Sequence, residues 1–217
     1  MNLLDGQNRY RQNAKEWRLT QDIEKAARAV CNLILRHGNQ PTPSALDDAY
    51  SLLIQIEIWK AMCMEERIGD AETNPKQRVW DAFRDALTAS NDRDAILSIM
   101  RLKGFGSARN MNFGGQRPAK VASAAMRFLL PDSWGVIDWR TAALLDRLNE
   151  SKGNLDEALR LAGKETADTM RGYYAMINEE KACTYNQNYR NLRSNSSFPR
   201  AADVEMALFG LSLFVWP

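Results

Sequence analysis

Two residues in the middle of the chain, Lys120 and Asp138, are of types that together support nucleophilic and electrostatic catalysis. A neutral lysine amine can attack an electrophilic carbon and form a Schiff base. A nearby carboxylate can stabilise positive charge that develops on a sugar ring as a glycosidic bond breaks. Lys120 opens a predicted helix, where the helix dipole disfavours a charged ammonium, and Asp138 begins the next predicted helix. Both residues are therefore of types that could react if the fold brings them together.

Both residues also have structural interpretations. An aspartate at the start of a helix is a preferred N-cap, and a capped carboxylate is rigid, so capping and catalysis are compatible. A single lysine at a helix start is most often a solvated side chain. Other chemistry has little support, because the only histidine, His37, precedes Gly38 at a predicted helix end and fits the C-terminal dipole there. Any reaction must then use Lys, Asp, Glu, Tyr or Ser.

The cysteines predict neither a metal site nor a cofactor. They are far apart in the sequence and match neither a zinc knuckle nor a four-cysteine iron–sulfur pattern. We expect each to be a reduced, half-buried packing residue; they are Cys31, Cys63 and Cys183. A single histidine cannot build a histidine-based metal site. The sequence therefore predicts no metal and no cofactor.

Helical periodicity dominates the chain and predicts an all-α fold of about nine or ten helices. Alternation at 55–58 would also allow a short strand, but the length of the surrounding apolar segment favours a helix. We predict one long helix within 166–192, with or without a break near 183–188. The other helices are predicted at 21–36, 44–68, 76–88, 92–102, 120–130, 138–150, 154–162 and 200–214.

These helices predict one unit over 1–217 that surrounds the candidate pair. Residues 95–147 form its predicted centre, and 1–90 and 150–217 supply flanking helices, which favours two interleaved helical lobes with a cleft between them. The length supports a sizeable core. No run of about 18 apolar residues is present, and the polar N-terminus has no apolar signal core. We expect a cytoplasmic monomer without a membrane partner.

A basic, glycine-containing stretch separates the predicted helices at 92–102 and 120–130. Between residues 101 and 120 there is no acid, although the whole chain carries a formal net charge of only +2. Such a stretch suits a phosphate backbone, although charge runs are more often solvated surface. The GxG of Gly104 and Gly106 permits a sharp turn with uncovered amides, which can hold a DNA phosphate. The five cations of the stretch are Arg101, Lys103, Arg109, Arg117 and Lys120.

The order of these motifs resembles the helix-hairpin-helix DNA glycosylase superfamily. The residues 102–106, Leu-Lys-Gly-Phe-Gly, resemble the hairpin L-P-G-V-G, and 135–140, Gly-Val-Ile-Asp-Trp-Arg, resemble the element that carries the catalytic aspartate. Lys-Val-Ala at 120–122 resembles the position of the catalytic lysine in the 8-oxoguanine branch, and the 18-residue separation from Asp138 is close to that of the branch. The resemblance covers about 50 residues and, beyond them, only a helical layout.

Three departures from the family pattern leave the bounds of the hairpin open. The loop between Gly106 and Lys120 is longer than usual, and Phe-Gly-Gly at 113–115 could be the turn instead. Lys103 replaces the hairpin proline. The histidine that follows the family's aspartate is absent, and Arg140 lies in that region.

The resemblance implies an enzyme that flips a modified or damaged base out of double-stranded DNA and excises it. Asp138 would stabilise the oxocarbenium character of the sugar or orient a water, and Lys120 would form a Schiff base that permits AP-lyase strand cleavage. The implied DNA contacts are Lys103, Gly104, Gly106, Arg109, Arg117 and Arg140. The implied base pocket consists of Trp139, Phe105, Gln55, Trp59 and Asp203.

The sequence leaves several alternatives open. The base could be an oxidised purine, as in DNA repair, or a hypermodified phage base such as glucosylated hydroxymethylcytosine, as in antiviral defence. Gln55 and Glu57 could face a cleft or bond to a neighbouring helix, the aromatic candidates could be core residues, and Asp203 could be an early-turn acid. A different class of function also remains, a non-catalytic helix-hairpin-helix DNA-binding protein in which Asp138 is only a cap.

Overall fold

A computed structural model describes residues 2–13, 17–64, 70–105 and 119–217. Over these residues the chain forms eleven α-helices, one 3-10 turn at Ala71–Thr73 and no β-sheet, so the all-α prediction is confirmed. The helices are α1 Leu3–Asn13, α2 Trp17–His37, α3 Pro43–Met64, α4 Lys76–Thr88, α5 Asp92–Met100, α6 Lys120–Leu129, α7 Trp139–Glu150, α8 Leu155–Ala162, α9 Ala167–Tyr173, α10 Glu179–Ser194 and α11 Ala201–Ser212.

Several helix ends follow the local sequence signals. Helix α2 ends at His37, as predicted; Gly38 has φ +53° and its amide donates to the Ile34 carbonyl at 2.9 Å. The Asn91 side chain accepts the Asp94 amide and caps α5. Helix α4 has the predicted bounds, and α6 and α8 agree with theirs to within one residue.

The prediction of one long helix within 166–192 was wrong. The segment forms two helices, α9 and α10, and α10 runs unbroken through 183–188, where a break was predicted. Each helix has its own cap: Thr166 accepts the Thr169 amide, and Asn178 accepts the Lys181 amide. A second N-cap within the segment starts a new helix.

Helix α3 lies in the centre of the core. Leu52, Leu53, Ile56 and Trp59 are buried, and the segment 55–58 is helical, as its length predicted, and not a strand. The Trp59 indole donates to Thr20 Oγ1 of α2 at 2.8 Å and packs edge-on against the Phe128 ring of α6, with 5.2 Å between ring centroids.

Two glycines let α1 and α11 pack backbone against backbone. A Cβ at Gly6 would lie 2.1 Å from the Ala207 carbonyl oxygen, and one at Gly210 would lie 1.9 Å from the Gly6 carbonyl oxygen. No other residue fits at that distance. Helix α1 was not predicted, because its sequence is polar; its buried side chains include Gln7 and Tyr10, and the packing against α11 stabilises it.

Helix α11 contacts the loop that leads into α7. The Ala201 and Ala202 amides donate to the Asp132 and Pro131 carbonyls at 3.3 and 3.0 Å. The predicted inward residues Val204, Ala207, Leu208 and Leu211 are all buried. The fold therefore places α11 directly beneath the turn that carries Asp138.

None of the helices within the described ranges is long and apolar enough to cross a membrane.

Candidate functional site

Asp138 is the N-cap of α7 and is half-buried. Its Oδ1 accepts the Thr141 amide at 2.9 Å, and the Thr141 hydroxyl accepts the Asp138 amide at 3.2 Å, which completes a capping box. Thr141 is itself buried. The carboxylate is therefore fixed in direction by the start of α7, as the sequence predicted for a cap.

Side chains from two other helices bond to the backbone just before Asp138. Ser123 of α6 accepts the Ile137 amide at 2.9 Å, and the Tyr189 hydroxyl of α10 donates to the Val136 carbonyl at 2.7 Å. Gly135 allows this approach, because a Cβ there would lie 2.8 Å from the Tyr189 ring. The turn at 135–138 is thus anchored from outside its own helix.

Lys120 is the first residue of α6 and is half-buried. Its Nζ donates to the Tyr174 carbonyl at 3.3 Å, and the neighbouring Ala119 amide donates to the Ile177 carbonyl at 2.7 Å. Ser123 Oγ donates to the Lys120 carbonyl at 2.7 Å and accepts the Ile137 amide. One hydroxyl therefore joins the first turn of α6 to the turn that begins α7, and it places Lys120 and Asp138 at adjacent helix starts.

A group of buried charges lies near the Asp138 turn. Arg127 of α6 is 1% exposed; its Nη1 lies 2.7 Å from Glu24 Oε1, and its Nε lies 4.0 Å from Glu205 Oε2. Arg200 pairs with Glu24 at 3.1 Å and with Asp203 at 2.7 Å. Charges removed from water must be paired to be tolerated, and these pairs link α2, α6 and α11.

Two arginines flank Trp139, the residue that follows Asp138. The Arg140 guanidinium carbon lies 4.5 Å from the Trp139 ring centroid, and that of Arg171 lies 5.7 Å from it. Arg140 also donates to the Trp216 carbonyl. Burial, together with the nearby charge of Arg171, lowers the pKa of Arg140, although Asp138 acts in the opposite direction. We name Trp139, Arg140 and Arg171 the Trp139 cluster.

The described part of the predicted hairpin is a tight turn held by Asn74. Gly104 has φ +84°, a conformation that favours glycine, and Lys103 is exposed. The Asn74 side chain accepts the Lys103 amide at 2.9 Å and donates to the Lys103 carbonyl at 3.0 Å, and the Phe105 amide donates to the Leu102 carbonyl. Two of the amides that could have held a phosphate are therefore bonded within the protein.

Part of the predicted DNA-binding surface lies outside the described residues, namely Gly106, Arg109 and Arg117. Of the remaining basic stretch, Arg101 is paired with Asp85, which leaves Lys103 and Lys120 as its other described cations.

Of the predicted base-pocket residues, Trp139 alone adjoins Asp138 and is partly exposed. Phe105 is fully buried, Trp59 packs in the core, and Asp203 is buried and paired with Arg200; Gln55 is half-exposed on α3. Glu57 accepts the Asp70 and Ala71 amides, both at 3.0 Å, so the structural alternative holds for this residue.

A cavity of about 540 Å³ lies between α7 and α9, on the ring side of Tyr174. The hydroxyls of Tyr174 and Tyr185 both donate to Asp146 Oδ2, at 2.6 and 3.0 Å, and burial raises the pKa of both phenols. The exposed ring of Tyr173 lies at its rim, 4.9 Å from that of Tyr174. Tyr174 thus lines the cavity and also accepts the Lys120 amine through its carbonyl, whereas Lys120 is not among the lining residues.

Metal and thiol chemistry receive no support from the described residues. Within the described ranges, no three His, Cys, Asp or Glu side chains are grouped as metal ligands would be. Cys31 and Cys183 are free and half-buried, as predicted. Burial raises the pKa of both thiols to about 11, so neither is a ready nucleophile.

Four residues that shape the site were not among the predicted site residues: Asn74, Ser123, Tyr189 and Glu205. Gly135 carried the one local signal, since a glycine three residues before a capping aspartate indicates a close approach by another group. The two residues that approach it, Tyr189 and Glu205, lie 54 and 70 positions further along the chain and could not be predicted from local spacing.

No protein-family model matches the chain, and neither a curated protein nor a solved structure matches it. Its function must therefore be argued from its own residues and their geometry.

Proposed function

We propose that this protein is a DNA glycosylase that excises a modified or damaged base flipped from double-stranded DNA, with Lys120 supplying AP-lyase chemistry. The observation that supports it best is the bond between the first turn of α6 and the turn before α7 through Ser123. This bond joins the backbones of two helix starts, of which one carries the Lys120 amine and the other the Asp138 carboxylate. This is the pairing that cleavage of a glycosidic bond by a lysine nucleophile requires.

Asp138 would act on the sugar. The capping box uses Oδ1, and among the described residues no group donates to Oδ2, which is the oxygen available to substrate. As the bond from C1′ to the base breaks, the base leaves with the electron pair and takes up a proton, and the carboxylate stabilises the positive charge on the sugar. Because the cap holds the carboxylate in place, it needs no reorientation as that charge develops.

Lys120 would act on the same carbon. Its deprotonated Nζ bonds to C1′, and the nitrogen then loses a proton. The bond from C1′ to the ring oxygen breaks and opens the sugar ring, and the oxygen takes up a proton. A protonated Schiff base between Nζ and C1′ remains. Removal of a proton from C2′ then expels the 3′ phosphate and cleaves the strand. The bond from Nζ to the Tyr174 carbonyl holds the side chain at the C-terminal end of α9, and Tyr174 also lines the 540 Å³ cavity.

The surface around Asp138 suits a nucleic acid. The Trp139 cluster offers an indole and two guanidiniums, groups that stack on bases and pair with phosphates. Lys103 is exposed at the hairpin turn. Two classes of substrate base fit this proposal, an oxidised purine and a hypermodified pyrimidine. We further propose that the enzyme acts as a cytoplasmic monomer.

The test is base release and borohydride trapping on duplexes that carry 8-oxoguanine, glucosylated hydroxymethylcytosine or other modified bases. Lys120→Gln should abolish the trapped adduct, and Asp138→Asn should lower base release by about 100-fold or more. The matched controls change exposed residues of the same types and should behave like wild type: Lys152→Gln in the loop after α7, and Asp132→Asn six residues before Asp138 in the loop that leads into α7. Base release that survives Lys120→Gln but not Asp138→Asn would mean a glycosylase without lyase activity.

The second candidate is a DNA-binding protein without catalysis. The complete capping box favours it, because the cap alone accounts for an aspartate at position 138. Tight binding to duplex DNA, with no base released from any modified DNA, would support this candidate and exclude the glycosylase.

A further inference from the structure

Glu205 is a buried carboxyl group at the centre of α11, directly beneath the turn at 135–138. Only 5% of the surface of Glu205 is exposed to solvent. A Cβ on Gly135 would lie 2.6 Å from the Glu205 Cβ, so the backbone of the turn rests on this side chain. The Val136 amide lies close enough to the Glu205 carboxyl group to favour its charged form. The proposed catalytic steps make no use of this group.

The backbone polar groups between Gly135 and Asp138 are therefore held by three helices. The Val136 amide meets Glu205 of α11, the Val136 carbonyl accepts from Tyr189 of α10, and the Ile137 amide donates to Ser123 of α6. A buried amide that loses its acceptor costs free energy, so each of the three contacts favours this conformation of the turn.

The groups that face Glu205 come from every neighbouring element. Arg127 of α6, 4.0 Å away, and Lys60 of α3 favour its charged form, whereas Asp138 and Tyr189 are acidic neighbours. Glu24 of α2 engages Arg127 from its other side, and Arg200 and Asp203 form their own pair one turn earlier on α11. Helix α1 packs on α11 through Gly6 and directs Arg9 away, to the Leu213 carbonyl.

We infer that Glu205 is a positioning residue: from α11 it fixes the turn at 135–138, and its ionisation changes the electrostatic field at the Asp138 carboxylate. The positioning concerns the free protein, whereas its effect on reaction rate rests on the proposed function. Burial raises the pKa of Glu205 to about 8. The charge of Arg127 opposes this increase, and the charge of Asp138 contributes to it. Glu205 is therefore neutral near pH 7 and gains its charge in mildly alkaline solution.

The first experiment measures hydrogen exchange at the Val136 and Ile137 amides in the free protein. Glu205→Leu removes the acceptor and should speed exchange at both amides about tenfold or more, whereas Glu205→Gln keeps an acceptor and should keep them protected. The control, Ser212→Ala, removes a buried hydroxyl from the same helix, away from the turn, and should leave both amides unchanged. Unchanged exchange in Glu205→Leu would overturn the positioning role, whatever the protein catalyses.

The second experiment measures single-turnover base release at saturating DNA across mildly acidic to alkaline pH. Glu205→Leu should lower the rate constant by about 10- to 100-fold with DNA affinity unchanged, and Glu205→Gln should restore it at about pH 6, where the native carboxyl group is neutral. The wild-type profile should show an inflection near pH 8 that Glu205→Gln lacks.

An inflection near pH 8 that persists in Glu205→Gln would overturn the electrostatic coupling. Faster amide exchange in Glu205→Leu, with no base released by wild type from any modified DNA, would instead leave the positioning role intact and count against the proposed function. Should Glu205→Leu fail to fold, the pH profile of Glu205→Gln decides alone.

Discussion

Asp138 combines a structural and a proposed chemical role at one position. The cap occupies one carboxylate oxygen with the Thr141 amide, and the remaining oxygen carries the charge available to substrate. Ser123 also has two roles, because its single hydroxyl donates to the Lys120 carbonyl and accepts the Ile137 amide. At this scale the site consists of short, locally fixed contacts, and each can be removed singly by substitution.

The buried carboxyl group of Glu205 gives a prediction for stability against pH. Its folded-state pKa, about 8, lies above the ordinary value of 4.5, so its contribution is fully present below about pH 4.5 and is lost as the pH rises through 8. Glutamine does not titrate. The unfolding free energy of Glu205→Gln minus that of wild type should therefore increase by a few kcal/mol from acidic to alkaline solution. In a protein of this size each kcal/mol corresponds to about 2–4 °C in Tm.

Thermal or urea unfolding of both proteins at matched ionic strength measures this difference. Ser212→Ala, which carries no titrating group, should differ from wild type by the same amount at every pH. A difference between Glu205→Gln and wild type that is equally independent of pH would show that Glu205 does not titrate with a raised pKa.

Local sequence signals were sufficient for Asp138 but not for Glu205. A capping aspartate followed by helical periodicity can be recognised within about five residues. The start of α6 at Lys120 has no side-chain cap and was predicted from the helical pattern that follows it. Glu205 contacts Gly135 from 70 residues further along the chain, and a carboxyl group on an apolar helix face gives no indication of its partner. The residues proposed to react were predictable, and those that position them depended on tertiary packing.

At the level of elements, caps decided where sequence reading succeeded. The predicted ends at Gly38 and Asn91 carry their own hydrogen bonds, whereas the predicted break within 183–188 had no cap, and Asn178 supplied one earlier. Helix α1 escaped prediction for another reason. Its polar sequence has weak amphipathic character, and its stability comes from α11.

The contact between α1 and α11 gives a prediction about glycine. Gly210→Ala places a methyl group against the Gly6 backbone, which cannot move as a side chain can, so we expect the unfolding free energy to fall by about 1–3 kcal/mol or more. Gly172 lies in α9 with open space around it, and Gly172→Ala should be neutral or stabilise by up to about 1 kcal/mol. Equal effects of the two substitutions in urea unfolding would contradict this account of the packing.

At the level of the whole molecule, the formal net charge of +2 provides almost no general attraction for DNA. The proposed DNA binding would then come from local groups, and the Trp139 cluster begins at the residue that follows Asp138. Arg171 has an exposed side chain, in a loose pair with Asp168 at 3.7 Å, and so it can turn to a phosphate at little cost. The arrangement of the helices as two lobes with a cleft stays a prediction.

Substitution of Arg171 tests this surface through the salt dependence of DNA binding. If Arg171 contacts one phosphate, Arg171→Gln should weaken binding and make the slope of log K against log salt shallower by about 1. Arg160→Gln provides the control, since Arg160 is also exposed and paired with an acid three residues away, but lies on α8. Identical slopes for the two variants would exclude the Trp139 cluster from the phosphate contacts.

The close approach of Gly6 to Gly210 also constrains the order in which the protein can be completed on a ribosome. These residues are 204 positions apart, so at about 5–20 residues per second α1 leaves the ribosome roughly 10–40 s before its partner helix exists. A strongly apolar helix would be prone to aggregation or chaperone capture during that wait. The polar sequence of α1 avoids this hazard, and the earliest described helix to be synthesised is one of the last that can dock.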